Sequence, residues 1–94
     1  MKLSPDAVRQ FRALRAHDQA TLRDALKARL QDDDATREDR NRFRLRRPSE
    51  LADFELRVGH LRVFYRVVGT EVRVALIGYK EGNHLVIEGR RFVL

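Results

Sequence analysis

Arg57, Arg62 and Arg66 are the residues of this chain best suited to chemistry. In the stretch FELRVGHLRVFYRV, residues 54–67, they alternate with apolar residues on both sides of Gly59-His60. Alternation at period two predicts paired strands that bury one face and wet the other, so these arginines are held on a β-framework. A guanidinium presents a rigid fork of donors that matches phosphate or carboxylate oxygens. Anchoring it on strands lowers the entropy lost when an anion is gripped. The chemistry implied is anion binding, with RNA, DNA or an acidic protein as the ligand.

The charge balance points the same way. The 94 residues carry a net charge of +6, and Lys2, Lys27 and Lys80 are the only lysines among 20 basic residues. Arginine in place of lysine fits phosphate contacts and base stacking, and a GC-rich genome would give the same bias. A length of 94 residues allows one domain, 1–94, with a single modest core, and a hydrophobic fraction of 43% supports a folded chain. No apolar run approaches the roughly 18 residues of a membrane span, and MKLSPDAVRQF has no hydrophobic signal core, so a cytoplasmic protein without membrane contact is expected. The absence of cysteine excludes disulfides and thiolate metal sites. Three widely spaced histidines make no metal cluster, and no cofactor is expected.

The elements that position the arginines can be read in outline. Ser4-Pro5-Asp6 is a helix start, and Ala7, Val8, Phe11 and Leu14 form an apolar stripe to about His17. Asp18 is expected to cap a second helix carrying Leu22, Ala25, Leu26, Arg29 and Leu30, which Asp32-Asp33-Asp34 ends. From Arg42 the run Arg-Phe-Arg-Leu-Arg predicts a short strand with Phe43 and Leu45 turned inward, ended by Pro48. Strands at about 53–58, 61–68 and 72–77 follow, with Gly69-Thr70 as a hairpin turn. Gly78 to Asn83 is expected as a loop, before strands at 85–87 and 92–94. The fold class is α+β, an N-terminal helical hairpin packed on a small twisted antiparallel sheet.

Candidate site residues follow from this layout. Arg62 and Arg57 lie on the central strands, and Lys80 lies in the glycine-flanked loop, where functional groups are often carried. Tyr79 beside that loop is a candidate for base stacking. Arg42, Arg44 and Arg46, with Arg37, Arg40 and Arg47, form a basic edge suited to nucleic acid or an acidic partner. His84 is a candidate acid or base.

The segments Leu56-Arg57-Val58-Gly59, Leu61-Arg62-Val63 and Ile77-Gly78-Tyr79-Lys80, in this order after two helices, resemble the RelE/ParE superfamily of bacterial toxins from type II toxin-antitoxin systems. Thr36-Arg37, Arg40-Asn41-Arg42 and the tail from Lys80 to Phe92 are similar to one RelE-like subgroup. The resemblance implies a toxin held inactive by a cognate acidic antitoxin, in a hetero-oligomer or alongside a homodimer. It implies either a RelE-like endoribonuclease that cuts ribosome-bound mRNA or, alternatively, a ParE-like noncatalytic poison of DNA gyrase or a catalytically decayed member that only binds its antitoxin. Arg62 falls where such RNases place an arginine on the scissile phosphate, and Lys80 falls near their second, loop-borne arginine. Lysines that they carry before the glycine turn align with Asp53 and Glu55, charges expected to repel RNA, and their loop tyrosine aligns with Val86. Arg44, Arg46 and His84 are the substitutes for those missing groups. The resemblance also implies an N-terminal strand, for which Met1-Lys2-Leu3 leaves little room. The antitoxin is expected on the helical hairpin or on the sheet edge near Val93-Leu94.

Overall fold

The helix start at Ser4 forms as its sequence dictates. In the computed structural model, which describes residues 1–47 and 49–93, α1 spans Pro5–Arg12. The Ser4 Oγ accepts from the Ala7 N–H at 3.0 Å and donates to the Ala75 carbonyl at 2.7 Å. One side chain thus caps the helix and pins it to the sheet. The helix ends at Arg12, earlier than the apolar stripe predicts, because the Gln19 side chain donates to the Arg12 and Leu14 carbonyls at 3.1 and 2.9 Å and closes the turn between the helices.

The second helix, α2, spans Ala16–Ala25 and begins before the expected cap. Asp18 lies inside its first turn, where the helix dipole favours a carboxylate, and His17 is helical. The chain then widens into a π-helical turn, Leu26–Gln31. Leu22, Leu26 and Leu30 are all buried. Four residues of α-helix advance about 40° past a full turn, and the wider turn brings Leu30 back toward the core. The helix stops at Asp32, as the acidic run predicts, with the Asp32 N–H bonded to the Lys27 carbonyl at 2.8 Å.

The sheet is a meander followed by one closing piece. Strands β2 (Arg42–Arg44), β3 (Phe54–Val58), β4 (Leu61–Val68), β5 (Glu71–Glu81), β6 (His84–Ile87) and β7 (Arg90–Val93) pair antiparallel in sequence order. Two-residue turns join β3 through β7, three of them opened by Gly59, Gly69 and Gly82 at positive φ, the conformation that glycine adopts most cheaply. In the last turn it is Glu88, at φ 51, that precedes Gly89. Its carboxylate is tied to Arg9 and Gln10 of α1.

The N-terminal strand exists despite the little room. β1 is Lys2–Leu3, and it pairs parallel with β5 at Arg73 and Val74. Two residues suffice because the Ser4 N–H continues the ladder to the Val74 carbonyl at 2.8 Å. The sheet is therefore antiparallel with one short parallel edge. Between β1 and β6 the Ile77 N–H would be orphaned, and the buried Gln10 side chain accepts from it at 2.7 Å.

β5 differs most from expectation. It runs through Gly78 and Lys80, which were expected in a loop, and pairs with β6 at Tyr79, Lys80 and Glu81. Gly78 permits this: a Cβ there would meet the Val86 carbonyl oxygen at 2.5 Å and Ile87 Cγ1 at 2.7 Å. The register also slips between Phe64 and Tyr65, which face Leu76 and Val74, so Ala75 is an extra residue. That bulge turns Ile77 inward and Leu76 outward.

The helices cover one face of the sheet. Ala7, Leu22, Leu26 and Leu30 pack with Phe54, Leu56, Leu61, Val63, Tyr65, Val72, Val74 and Ile77. Phe54 and Tyr65 stack at 5.2 Å, and the buried Tyr65 hydroxyl donates to the Ala35 carbonyl at 2.6 Å. Burial pushes the Tyr65 hydroxyl above the ordinary phenol range. The residues that alternate with these on the strands form the second face.

Candidate functional site

Alternation and register bring one set of charged residues together on the second face. Arg57 on β3 is the direct cross-strand partner of Arg62 on β4, and Arg62 is opposite Gly78 on β5. Lys80, two residues along β5, shares that face. Glu55, Arg57, Arg62, Phe64, Lys80 and Leu85 line one cleft of about 110 Å³.

Two arginines opposite each other repel unless an anion lies between them. Glu55 supplies it: its Oε2 is 2.8 Å from Arg57 Nε and 3.7 Å from Arg62 Nε. Arg62 is only 9% exposed. Its Nη1 donates to the Gly59 and Leu61 carbonyls at 2.7 and 2.9 Å, which fixes the plane of the guanidinium. Burial, and then the Arg57 charge, hold Arg62 below the usual arginine range, with Glu55 opposing that shift. Arg57 is exposed and lies over the Phe43 ring at 4.8 Å. An anion entering this cleft meets one buried arginine, one exposed arginine and a lysine.

The other sequence candidates are elsewhere. Tyr79 and His84 alternate with Lys80 and Leu85 and therefore face the helix side, away from Arg62. The Tyr79 ring meets His60 edge to face at 6.1 Å. Arg44 lies over the Phe54 ring at 4.5 Å on that same side, and Arg46 is exposed in the segment after β2. None of these four lines the cleft.

Arg42 is not a surface residue at all. It is 0% exposed, on the face expected for Phe43, and Phe43 is turned to the open face instead. Its Nε donates to the Arg37 carbonyl at 2.6 Å, Nη1 to the Arg29 carbonyl and Nη2 to Asp33 at 3.0 Å. A guanidinium with these partners organises the 29–39 segment and has no face to offer a phosphate. Arg42 holds the Asp33 carboxyl below the usual range, and the Asn41 N–H does the same for Asp39.

Glu55 is the cleft residue that sequence reasoning left out of the site, weighing it only as an ion-pair partner of Arg57 or Arg62 or as a repulsive charge. Read as a lone charge it repels RNA, but paired with two arginines it becomes the one carboxylate of a cationic cleft. The signal was present in the spacing, since Glu55 and Arg57 share a strand face at i and i+2. Asp53 is likewise paired, with Arg66 at 3.5 Å.

Among the described residues no group of three or more His, Cys, Asp or Glu could hold a metal ion, and no helix is long and apolar enough to cross a membrane. Comparison with protein-family models, with curated proteins and with solved structures found no match.

Proposed function

We propose that this chain is a RelE/ParE-type toxin whose open sheet face binds RNA and cleaves it on the ribosome with groups of its own side chains. The observation that carries this reading is the convergence of Arg57, Arg62, Lys80 and Glu55 on one cleft. As a phosphate enters, Arg57 and Arg62 exchange Glu55 for the nonbridging oxygens. The freed carboxylate then takes the proton of the adjacent 2′-hydroxyl. The 2′ oxygen bonds to phosphorus, the bond to the 5′ oxygen breaks, and that oxygen takes a proton from the Lys80 ammonium. The products are a 2′,3′-cyclic phosphate and a 5′-hydroxyl. Arg62, already fixed by two carbonyls, stabilises the charge that accumulates in the transition state without reorganising.

The same face carries Phe43, Phe64, Leu85 and the 47% exposed Phe92. An acidic antitoxin segment laid over it would bury these apolar side chains and neutralise the arginines. Primer extension on translated mRNA tests the enzyme. Wild type should cut, and Arg62→Ala and Glu55→Gln should each slow cutting by roughly 10²–10³-fold. No cuts with wild type, or undiminished cuts with both variants, would overturn the assignment.

One observation favours a noncatalytic reading. Arg62 Nη1 is committed to backbone carbonyls, as a purely structural arginine would be. A gyrase poison of the ParE kind would leave translation intact and trap cleaved DNA–gyrase complexes in a supercoiling assay.

A further inference from the structure

A second cleft, of about 400 Å³, opens where the turn between the helices meets the β3–β4 turn. Ala13 and Leu14 give it apolar wall, His60 and Tyr79 give it two rings set at 68° to one another, and Asp18 and Arg15 give it charge. Its volume falls within the roughly 300–1,000 Å³ of small-ligand sites.

Asp18 is the unusual member, because it is a carboxylate only 7% exposed. His60 Nε2 is 3.3 Å and Arg15 Nε 3.7 Å from it, and both contacts fall on Oδ2. No donor among the described residues bonds to Oδ1. Glu81, also at the rim, is engaged by Arg91 at 2.6 Å.

Each wall selects part of a ligand. An ionised carboxylate only accepts, so it selects hydrogen-bond donors. The rings and the apolar wall select a flat aromatic face. Arg15 selects a phosphate. A nucleotide combines the three, and among the four bases guanine alone presents two adjacent donors, N1–H and the 2-amino group, to one carboxylate. Adenine and cytosine set a ring acceptor beside their amine, and uracil flanks its one N–H with two carbonyls. Those acceptors would face the Asp18 lone pairs.

We infer that the cleft bounded by Asp18, His60 and Tyr79 is a guanine nucleotide site. Lys80 lines this cleft and the open-face cleft alike. A guanine of a strand bound at Arg62 would have to pass around the β3–β4 turn to enter it, and only that connection rests on the RNA reading above.

The test is NMR titration of the full chain with GMP, AMP, CMP and UMP. GMP should shift the His60 and Tyr79 ring signals and bind at least tenfold tighter than the other three. Asp18→Asn should abolish that preference and transfer it to xanthosine monophosphate, because the asparagine amide donates to the xanthine 2-oxygen where the carboxylate accepted from the guanine amine. Tyr79→Leu, with its fold checked from the amide spectrum, should weaken GMP at least tenfold. Arg62→Ala should leave GMP unchanged and weaken a guanine-containing trinucleotide if the guanine belongs to the strand, and should leave both unchanged if the site takes free nucleotide. Equal affinity for all four mononucleotides, or an intact guanine preference in Asp18→Asn, would overturn the inference. Absent RNA cleavage with guanine binding intact would overturn the open-face reading alone.

Discussion

Replacing Arg42 by methionine separates a buried structural arginine from a nucleic-acid contact. Methionine keeps much of the stem's length and apolar volume, so the change removes chiefly the guanidinium. The Arg37 and Arg29 carbonyls then lose their donors in a site that water does not reach, since Arg42 is 0% exposed. An unsatisfied buried group costs about 1–3 kcal/mol, and removing one partner of a buried ionic network costs about 3–5 kcal/mol. Asp33 is only partly covered and can rehydrate, which puts the expected loss at the low end, about 3 kcal/mol. For a domain of this size each kcal/mol lowers Tm by about 4–8 °C, so the midpoint should fall by roughly 12–24 °C. Urea melts followed by circular dichroism give the loss directly. A loss below about 1 kcal/mol, together with weaker RNA binding by the folded variant, would show that Arg42 reaches solvent and would refute the placement.

Three further outcomes follow from the same physical accounting. Gln10→Leu removes the acceptor for the Ile77 N–H and should cost about 1–3 kcal/mol in a urea melt; a loss below about 0.5 kcal/mol would argue against that hydrogen bond. Gly78→Ala puts a methyl against the Val86 carbonyl, so hydrogen exchange should speed up across β6 and β7 more than across β3 and β4; uniform protection would refute the contact. Asp33, Asp34 and Asp39 have carboxyls held below their unfolded values, so their contribution is complete above the ordinary carboxylate pKa near ~4 and is lost as pH falls through the lower folded values. The Tm should therefore be flat with respect to these groups above about pH 5 and fall below about pH 4, less steeply in Arg42→Met; an equal slope in the variant would remove Arg42 as the cause.

The parts of this chain legible in its sequence are those set by local rules. Ser4-Pro5-Asp6 starts a helix by capping chemistry, and β3 and β4 follow their alternation almost residue for residue. Glycine marks the turns for a stereochemical reason that needs no neighbours. What failed depended on partners distant in sequence. Gly78 looked like a loop residue because glycine's two uses, positive φ and close approach of another strand, are indistinguishable until β6 is seen against it. Arg42 looked like a surface cation because the alternating run Arg-Phe-Arg-Leu-Arg has two possible faces, and only the carbonyls of Arg29 and Arg37 choose between them. The bulge at Ala75 depends on the residues of β4 opposite it. Tyr79 and His84 fell on the wrong face once Lys80 became a strand residue.

The placement of Lys80 also decides how the two clefts relate. A lysine on a loop would be free to follow its ligand, but β5 pairs it with Leu85, and its own N–H is bonded to the His60 carbonyl at 2.7 Å. His60 is in turn the residue whose ring stands over Asp18, while the flanking Gly59 and Leu61 carbonyls hold Arg62. The β3–β4 turn is thus the common support of the cleft at Arg62 on one face and the cleft at Asp18 on the other. Its distortion should disturb both at once. Gly59→Val, which forces a β-branched residue to φ 58, should weaken GMP and slow RNA cleavage together, whereas Arg62→Ala should affect cleavage alone. Independent responses of the two clefts to Gly59→Val would show that the turn does not couple them.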